Sequence, residues 1–141
     1  MSNACRLLLT WLALLPGSLG LDSSSAALTA ATGTTWTVGD ANYWNGCCTA
    51  NYGLTVTVGD KLSFGYGINH NVYQMASEAA YNACDFTGAT ELAGTGHGGG
   101  SGTAYDNLYE AVVTTADAGQ LFIACKVGAH CTGNQKVTIT A

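Results

Sequence analysis

The stretch LFIACKVGAHCTGNQKVTITA, residues 121–141, combines two patterns. Large apolar residues alternate with other residues in LFIAC (121–125) and again in KVTITA (136–141). Period-two alternation of this kind predicts two β-strands. The residues from 125 to 135 hold two cysteines, a histidine and a glutamine. The stretch therefore predicts two neighbouring strands joined by a loop with disulfide chemistry, metal chemistry or both.

The same alternation recurs in the segments TWTV (35–38), LTVTV (54–58) and KLSFGY (61–66). Gly-Asp pairs at 39–40 and 59–60 predict tight turns. Helical periodicity is confined to ASEAAYNAC (76–84). Many short strands in about 110 residues favour a single all-β domain, a Greek-key β-sandwich or barrel, over residues 33–141. Five aromatic side chains are assigned to its core: Trp36, Tyr43, Trp44, Phe64 and Tyr66.

The first twenty residues have the form of a secretory signal peptide. Arg6 precedes the apolar run LLLTWLALL (7–15), and the small-residue run GSLG (17–20) follows Pro16. The apolar run is shorter than the roughly 20 residues that a membrane span needs. A buried N-terminal helix is the alternative. Residues 1–20 are thus predicted to be a signal peptide and residues 21–32 a disordered lead-in, which predicts a secreted, extracellular protein of the apoplast or cell surface.

The charge balance bears on the partners. The chain has nine acidic residues against four basic ones, a net charge of −5, and loss of Arg6 with the signal peptide makes it more acidic. Phosphate contacts require clustered Lys and Arg, so binding to nucleic acid is not expected. Neither a lipid anchor after the last strand-like pattern nor a membrane span is expected. A protein partner is expected to be basic or neutral at its docking face.

The cysteine count indicates a site. Of six cysteines, Cys5 leaves with the signal peptide, and five remain. Cysteines tend to pair in an oxidising compartment. An odd number therefore leaves one thiol that is free, intermolecular or bound to a metal.

The spacing of Cys125, His130 and Gln135, five residues apart each time, is typical of a loop that wraps one point. His70 follows the KLSFGY strand, and His97 lies in a glycine-rich segment (92–107), where solvation is the expected role. A thiolate with imidazoles suits copper or zinc, and two histidines, one thiolate and a weak axial donor form the trigonal blue-copper arrangement. Taken singly, each residue has a structural alternative: a buried thiol, a hydrogen-bonded core histidine, a polar residue at a strand start.

These residues resemble the phytocyanins, the plant-type branch of the cupredoxins, of the stellacyanin-like kind with axial glutamine. The matching pieces, in the family's order, are TVGD (37–40), Tyr43-Trp44, TVTVGDKLSFGY (55–66), His70 with Val72, YNAC (81–84), LFIAC (121–125) and HCTGNQK (130–136). The resemblance implies one copper ion with His70, Cys125 and His130 as equatorial ligands and Gln135 as the axial ligand. It also implies a disulfide between Cys84 and Cys131.

The chain departs from the family pattern at three places. Gly133-Asn134 stands where the family has glycine immediately before the axial residue, and asparagine tolerates the left-handed backbone that such a turn needs. The loop KVGA (126–129) lacks the proline of many relatives. Cys47 and Cys48 have no family counterpart; a vicinal disulfide and a pair of free thiols both stay open.

Two functions of different classes follow. The first is a secreted mononuclear type 1 copper protein that carries single electrons by outer-sphere transfer and is not an enzyme. Its redox partner would be a protein or a small molecule, and a monomer is expected. The second is a non-redox, secreted or cell-wall binding module on the same fold. The complete ligand set favours the first, and zinc at the same residues is a lesser variant.

Overall fold

A computed structural model describes residues 33–39, 43–45, 48, 52–97 and 107–141. The predicted signal peptide (1–20) and lead-in (21–32) lie outside the described residues. The described part contains strands β1 Thr35–Thr37, β2 Gly53–Thr55, β3 Lys61–Tyr66, β4 Val72–Gln74, β5 Thr90–Ala93, β6 Asn107–Val112, β7 Gln120–Ala124 and β8 Lys136–Thr140, the helix α1 Glu78–Ala83 and a 3-10 helix Thr115–Asp117.

The strands form two mixed sheets. The first has the order β1-β3-β6, and the second has the order β2-β8-β7-β4-β5. The pairs β1–β3 and β2–β8 are parallel, whereas the other neighbours are antiparallel. The predicted all-β sandwich is confirmed. The parallel pairs differ from the hairpin arrangement that short turns suggest, because a parallel pair requires the chain to cross over between its strands.

Alternation buries one face of β3 and of β8. In β3, Leu62, Phe64 and Tyr66 are buried, and in β8 Val137 and Ile139 are fully buried. These side chains meet between the sheets in one apolar cluster. Trp44 belongs to the same cluster and meets Phe64 edge to face, with 5.3 Å between the ring centroids. Burial of such side chains, at about 25 cal/mol per Å² of apolar surface, is the main term that holds the sheets together.

The helix α1 packs against β7, the middle strand of the second sheet. It begins after Ser77, whose hydroxyl accepts a hydrogen bond from the Ala80 amide at 3.1 Å. It ends at Ala83, and the capping residue Cys84 has a left-handed backbone with φ 51°. Tyr81 of the helix packs on Phe122 of β7, with 5.4 Å between ring centroids. The helical pattern in 76–84 is therefore confirmed, and the helix delivers Cys84 to the side of β7.

Two sequence predictions need correction. The strand predicted over 54–58 ends at Thr55, because the Asp60 carboxylate accepts the Thr57 amide at 2.9 Å and turns the chain there. The predicted core position of Tyr43 is wrong, because its side chain is 41% exposed. Its backbone lies in the left-handed region, with φ 55°. The predicted core role of the other four aromatic residues holds, with Trp36 partly buried.

Candidate metal centre

Cys125 stands at the point where β7 ends. Its side chain is fully buried, and it is the free cysteine among the described residues. Its amide donates to the Gln135 carbonyl at 3.0 Å, which extends the pairing of β7 with β8 by one step. Gln135 therefore lies beside Cys125 although ten residues separate them in sequence.

The loop between these two residues folds back on itself and presents His130. The His130 amide donates to the Val127 carbonyl at 3.0 Å, and the Gln135 amide donates to the His130 carbonyl at 2.9 Å. Gly128 and Asn134 take positive φ values of 49° and 71°. The expectation that Asn134 replaces the family's glycine in a left-handed turn is met by this geometry. His130 Nδ1 lies 3.4 Å from Cys125 Sγ.

His70 reaches the same place from the loop after β3. Its Nδ1 lies 3.0 Å from Gln135 Oε1, and its ring centroid is 4.8 Å from that of His130. Because an amide oxygen only accepts, the Nδ1–H of His70 donates in this contact. The neighbouring Asn71 holds the two loops together, since its Oδ1 accepts the Lys126 amide at 2.7 Å.

His70, Cys125 and His130 form a group whose metal-ligating atoms all lie within 4.8 Å of one another. Cys125 and Gln135 are buried, whereas both histidines are half-buried. The group thus sits at the rim of the sandwich, with its sulfur inside and its imidazoles outside. His97 is exposed and lies beside Tyr109, with ring centroids 5.9 Å apart, so it is not part of the group.

The surroundings of His70 and Cys125 favour the uncharged forms of these two side chains. Burial lowers the pKa of the His70 imidazole; the hydrogen bond with Gln135 opposes this shift, and the nearby His130 adds to it. Burial also raises the pKa of the Cys125 thiol, although amide hydrogen bonds from Asn71 and Val127 act against it. A neutral imidazole is the form that binds a metal, whereas the thiol has to lose its proton when a metal binds.

A disulfide joins Cys84 to Cys131, as the resemblance implied, across a sequence separation of 47 residues. It ties the end of α1 to the residue that follows His130. Lys136 lies against this link: its ammonium donates to the Tyr81 carbonyl at 3.1 Å and is 4.8 Å from the Tyr81 ring centroid. The disulfide therefore braces the ligand loop from within a second buried cluster, which Cys131 shares with Tyr81.

Cys48 is also disulfide-bonded, and its amide donates to the Asn134 carbonyl at 2.8 Å. This contact places Cys48 against the ligand loop. The disulfide at Cys48 rules out the alternative of two free thiols at Cys47 and Cys48. Cys47 lies outside the described residues, so a vicinal Cys47–Cys48 disulfide stays a prediction.

Two contacts of the site involve a residue that the sequence assigned only to the core. The Gln135 Nε2 donates to the backbone carbonyl of Trp44, and the Trp44 indole donates to the Asn71 carbonyl at 2.8 Å. A backbone carbonyl leaves no mark in the residue pattern. The only available signal was the position of Trp44 in the Tyr43-Trp44 piece of the family resemblance.

An apolar cavity of about 140 Å³ lies elsewhere, between the two sheets. It is lined mainly by β3, β6 and β7, and includes Phe64, Tyr109 and Ile123. None of the four predicted ligands lines it. The candidate chemistry of the described residues is therefore at the rim rather than in this cavity.

The two mixed sheets, with a buried cysteine and two histidines gathered at one end, define a cupredoxin-type β-sandwich with a candidate type 1 metal centre. Solved structures agree with this fold. Cucumber stellacyanin with Cu²⁺ superposes with a TM-score of 0.53 at 21% identity, over 77% of this chain and 97% of that one. Cucumber basic protein, a blue copper protein, superposes with a TM-score of 0.52 at 18% identity, over 77% and 99%.

Curated sequences narrow the class. Cucumber peeling cupredoxin (Cucumis sativus) is 28% identical over 109 residues, which are 72% of this chain and 71% of that protein. Uclacyanin-3 of Arabidopsis thaliana is 28% identical over 121 residues, 81% of this chain but only 46% of the relative. No protein-family model matches the chain. These homologues are phytocyanins of the cupredoxin superfamily, so the predicted resemblance is confirmed.

The donor set fits copper. A buried thiolate ligand, two imidazoles and a weak oxygen donor are the ligands that a type 1 copper takes. Together with the blue copper homologues, the His70, Cys125 and His130 group supports a single copper ion. Among the described residues, no helix is long and apolar enough to cross a membrane.

Proposed function

We propose that this protein carries single electrons on one type 1 copper ion, held by His70, Cys125 and His130 as equatorial ligands and by Gln135 as the axial ligand. Support comes from the convergence of four side chains from separated parts of the chain. Gln135 Oε1 is 3.0 Å from His70 Nδ1, and Cys125 Sγ is 3.4 Å from His130 Nδ1. A copper ion bound there would supply the Cu(I)/Cu(II) couple that holds the electron.

Outer-sphere transfer follows from where the donors lie. Cys125 is fully buried and Gln135 is 1% exposed, so solvent and partners reach the group only through the half-buried imidazoles. Three protein donors with an axial amide leave no open position for a substrate, unlike catalytic metal sites. The electron would therefore enter and leave through an imidazole edge, and no substrate would be turned over.

The loop around the site is suited to this role because it is held from several directions. The Cys84–Cys131 disulfide fixes one side, and hydrogen bonds from Lys126 to Asn71 and from Cys125 to Gln135 fix the other. A site whose ligands cannot move has the same geometry in both oxidation states. The reorganisation that accompanies each electron transfer is then small.

Location and partners are part of the same proposal. Residues 1–20 would direct the protein to the apoplast or cell surface, where disulfides persist. The redox partner would be a small molecule or a protein with a basic or neutral docking face, and the carrier would act as a monomer. A non-redox binding module on the same fold is the alternative that the experiment below separates.

The test is an optical and EPR spectrum of the purified protein loaded with Cu(II). Charge transfer from the Cys125 thiolate should give an intense visible band, and Cys125→Ser should abolish it. His97→Ala is the matched control and should keep the band, since His97 lies outside the group. A colourless wild type would favour zinc or the non-redox module, and a blue Cys125→Ser variant would exclude the ligand assignment.

A further inference from the structure

Trp44 is fixed in the structure at three points. Its side chain is fully buried, and its backbone amide donates to the Gly65 carbonyl of β3 at 2.9 Å. Its indole nitrogen donates to the Asn71 carbonyl at 2.8 Å, directly after His70 in sequence. Its ring packs edge to face on Phe64. The backbone carbonyl of Trp44 therefore has a defined position relative to both the core and the His70 loop.

Gln135 meets that carbonyl with its side-chain nitrogen. Gln135 is 1% exposed, and its own amide and carbonyl are both engaged, with His130 and Cys125 respectively. Its Nε2 donates to the Trp44 carbonyl, while its Oε1 lies 3.0 Å from His70 Nδ1. Both ends of the amide thus have partners, and the ends point in different directions.

The Trp44 carbonyl can only accept, so it distinguishes the two ends of the amide. If the amide of Gln135 were turned over, its oxygen would face the Trp44 carbonyl oxygen. His70 Nδ1 could accept from the amide nitrogen in its other tautomer, so the mismatch would arise at Trp44. A buried hydrogen bond left unmade is costly enough to disfavour that orientation by about tenfold or more. The orientation with Oε1 toward the metal group is therefore selected by a backbone atom 91 residues away in sequence.

We infer that Trp44 is a positioning residue that makes Gln135 an oxygen donor to the metal. This inference rests on the proposed function. The carbonyl of Trp44 sets which atom of the Gln135 amide faces the ion. The indole of Trp44 ties that carbonyl to the backbone beside His70, and so fixes the distance between the axial donor and an equatorial one.

The position of the axial donor bears on the reduction potential. A hard amide oxygen favours Cu(II) over Cu(I), because carbonyl-type oxygen is a harder ligand than sulfur. When the amide is held in place, this preference is expressed fully. When the Gln135 amide is less firmly held, the preference for Cu(II) weakens. The reduction potential then shifts upward, as is expected for a variant without the amide.

The direct test is made on isotope-labelled, metal-free protein by NMR. A scalar coupling across the hydrogen bond should join the Gln135 side-chain nitrogen to the Trp44 carbonyl carbon, with the Gln135 signal assigned by its loss in Gln135→Met. Exposed Gln120 provides the internal reference. Its side-chain protons should exchange with water at least about tenfold faster than those of Gln135.

A matched pair of variants separates positioning from general stability. Trp44→Phe keeps a buried ring but loses the indole hydrogen bond to Asn71. Trp36→Phe is the control: it loses a comparable indole hydrogen bond of 2.8 Å, from β1 to Asp60. Trp44→Phe should speed Gln135 side-chain exchange and shift the potential of the copper-loaded protein upward, toward the Gln135→Met value. Trp36→Phe should change neither.

Each outcome decides one of the two claims. Absence of the coupling in the metal-free wild type, or equal exchange of Gln135 and Gln120, overturns the positioning role even if the protein is blue. A detected coupling in a protein that never becomes blue supports the positioning role of Trp44 and refutes the proposed function instead. If Trp44→Phe and Trp36→Phe change the reduction potential equally, the Trp44 indole has no role in positioning Gln135. Should Trp44→Phe not fold, the wild-type coupling decides.

Discussion

The Cys84–Cys131 disulfide should contribute a large part of the stability of this domain. It closes a loop with a sequence separation of 47 residues. For a loop of that length, the chain-entropy relation gives about 4 kcal/mol at 25 °C. Domains of this size have total stabilities of about 5–15 kcal/mol. The variant Cys84→Ala/Cys131→Ala should therefore lose about 4 kcal/mol and melt about 15–30 °C lower, since 1 kcal/mol shifts a small domain by about 4–8 °C.

The assay is urea unfolding of the metal-free protein, followed by circular dichroism, with thermal melting as a second measurement. Cys125→Ala is the control, because it removes an equally buried sulfur without opening a loop: Cys125 is 0% exposed and Cys131 is 3% exposed. The difference between the two variants isolates the cross-link from the lost packing. A difference below about 1 kcal/mol would refute the loop-closure reasoning and would mean that the unfolded chain is already constrained.

Three other perturbations test separate parts of the molecule. Gln135→Met should raise the reduction potential of the copper-loaded protein, by about 59 mV for each tenfold loss of preference for Cu(II); voltammetry showing no rise would contradict the axial role. Asp60→Asn should lower the melting temperature at pH 7. The Thr57 amide donates to the Asp60 carboxylate and lowers its pKa. The difference in melting temperature between the wild type and Asp60→Asn should therefore shrink as the pH falls below about 3.9, because the carboxylate then becomes protonated. A difference in melting temperature that does not change with pH would contradict this role of the carboxylate. Gly39→Ala should cost more than about 1 kcal/mol in urea unfolding, because Gly39 has φ 121° and an added Cβ would lie 2.1 Å from the Tyr43 carbonyl oxygen; unchanged stability would refute that strain.

The local alternation of apolar and polar residues was enough to predict several of the strands. Alternation placed β1, β3, β7 and β8, because a strand with one buried face shows its period in its own residues. It did not place β4 or β5, nor β6, where Leu108 and Val112 are exposed. It also could not give the parallel pairing of β2 with β8, since pairing depends on which distant segments pack together.

The candidate site divides in the same way. The sequence by itself determined that Cys125, His130 and Gln135 lie close together. They belong to one short loop between two adjacent strands, and such a loop brings its two ends side by side. Only the tertiary structure decided that His70, 65 residues before Gln135, lies 3.0 Å from its amide oxygen, and that a carbonyl of Trp44 holds the other end. Contacts between distant segments are fixed by the packing of two sheets around a shared core, and no local period of the chain encodes that packing.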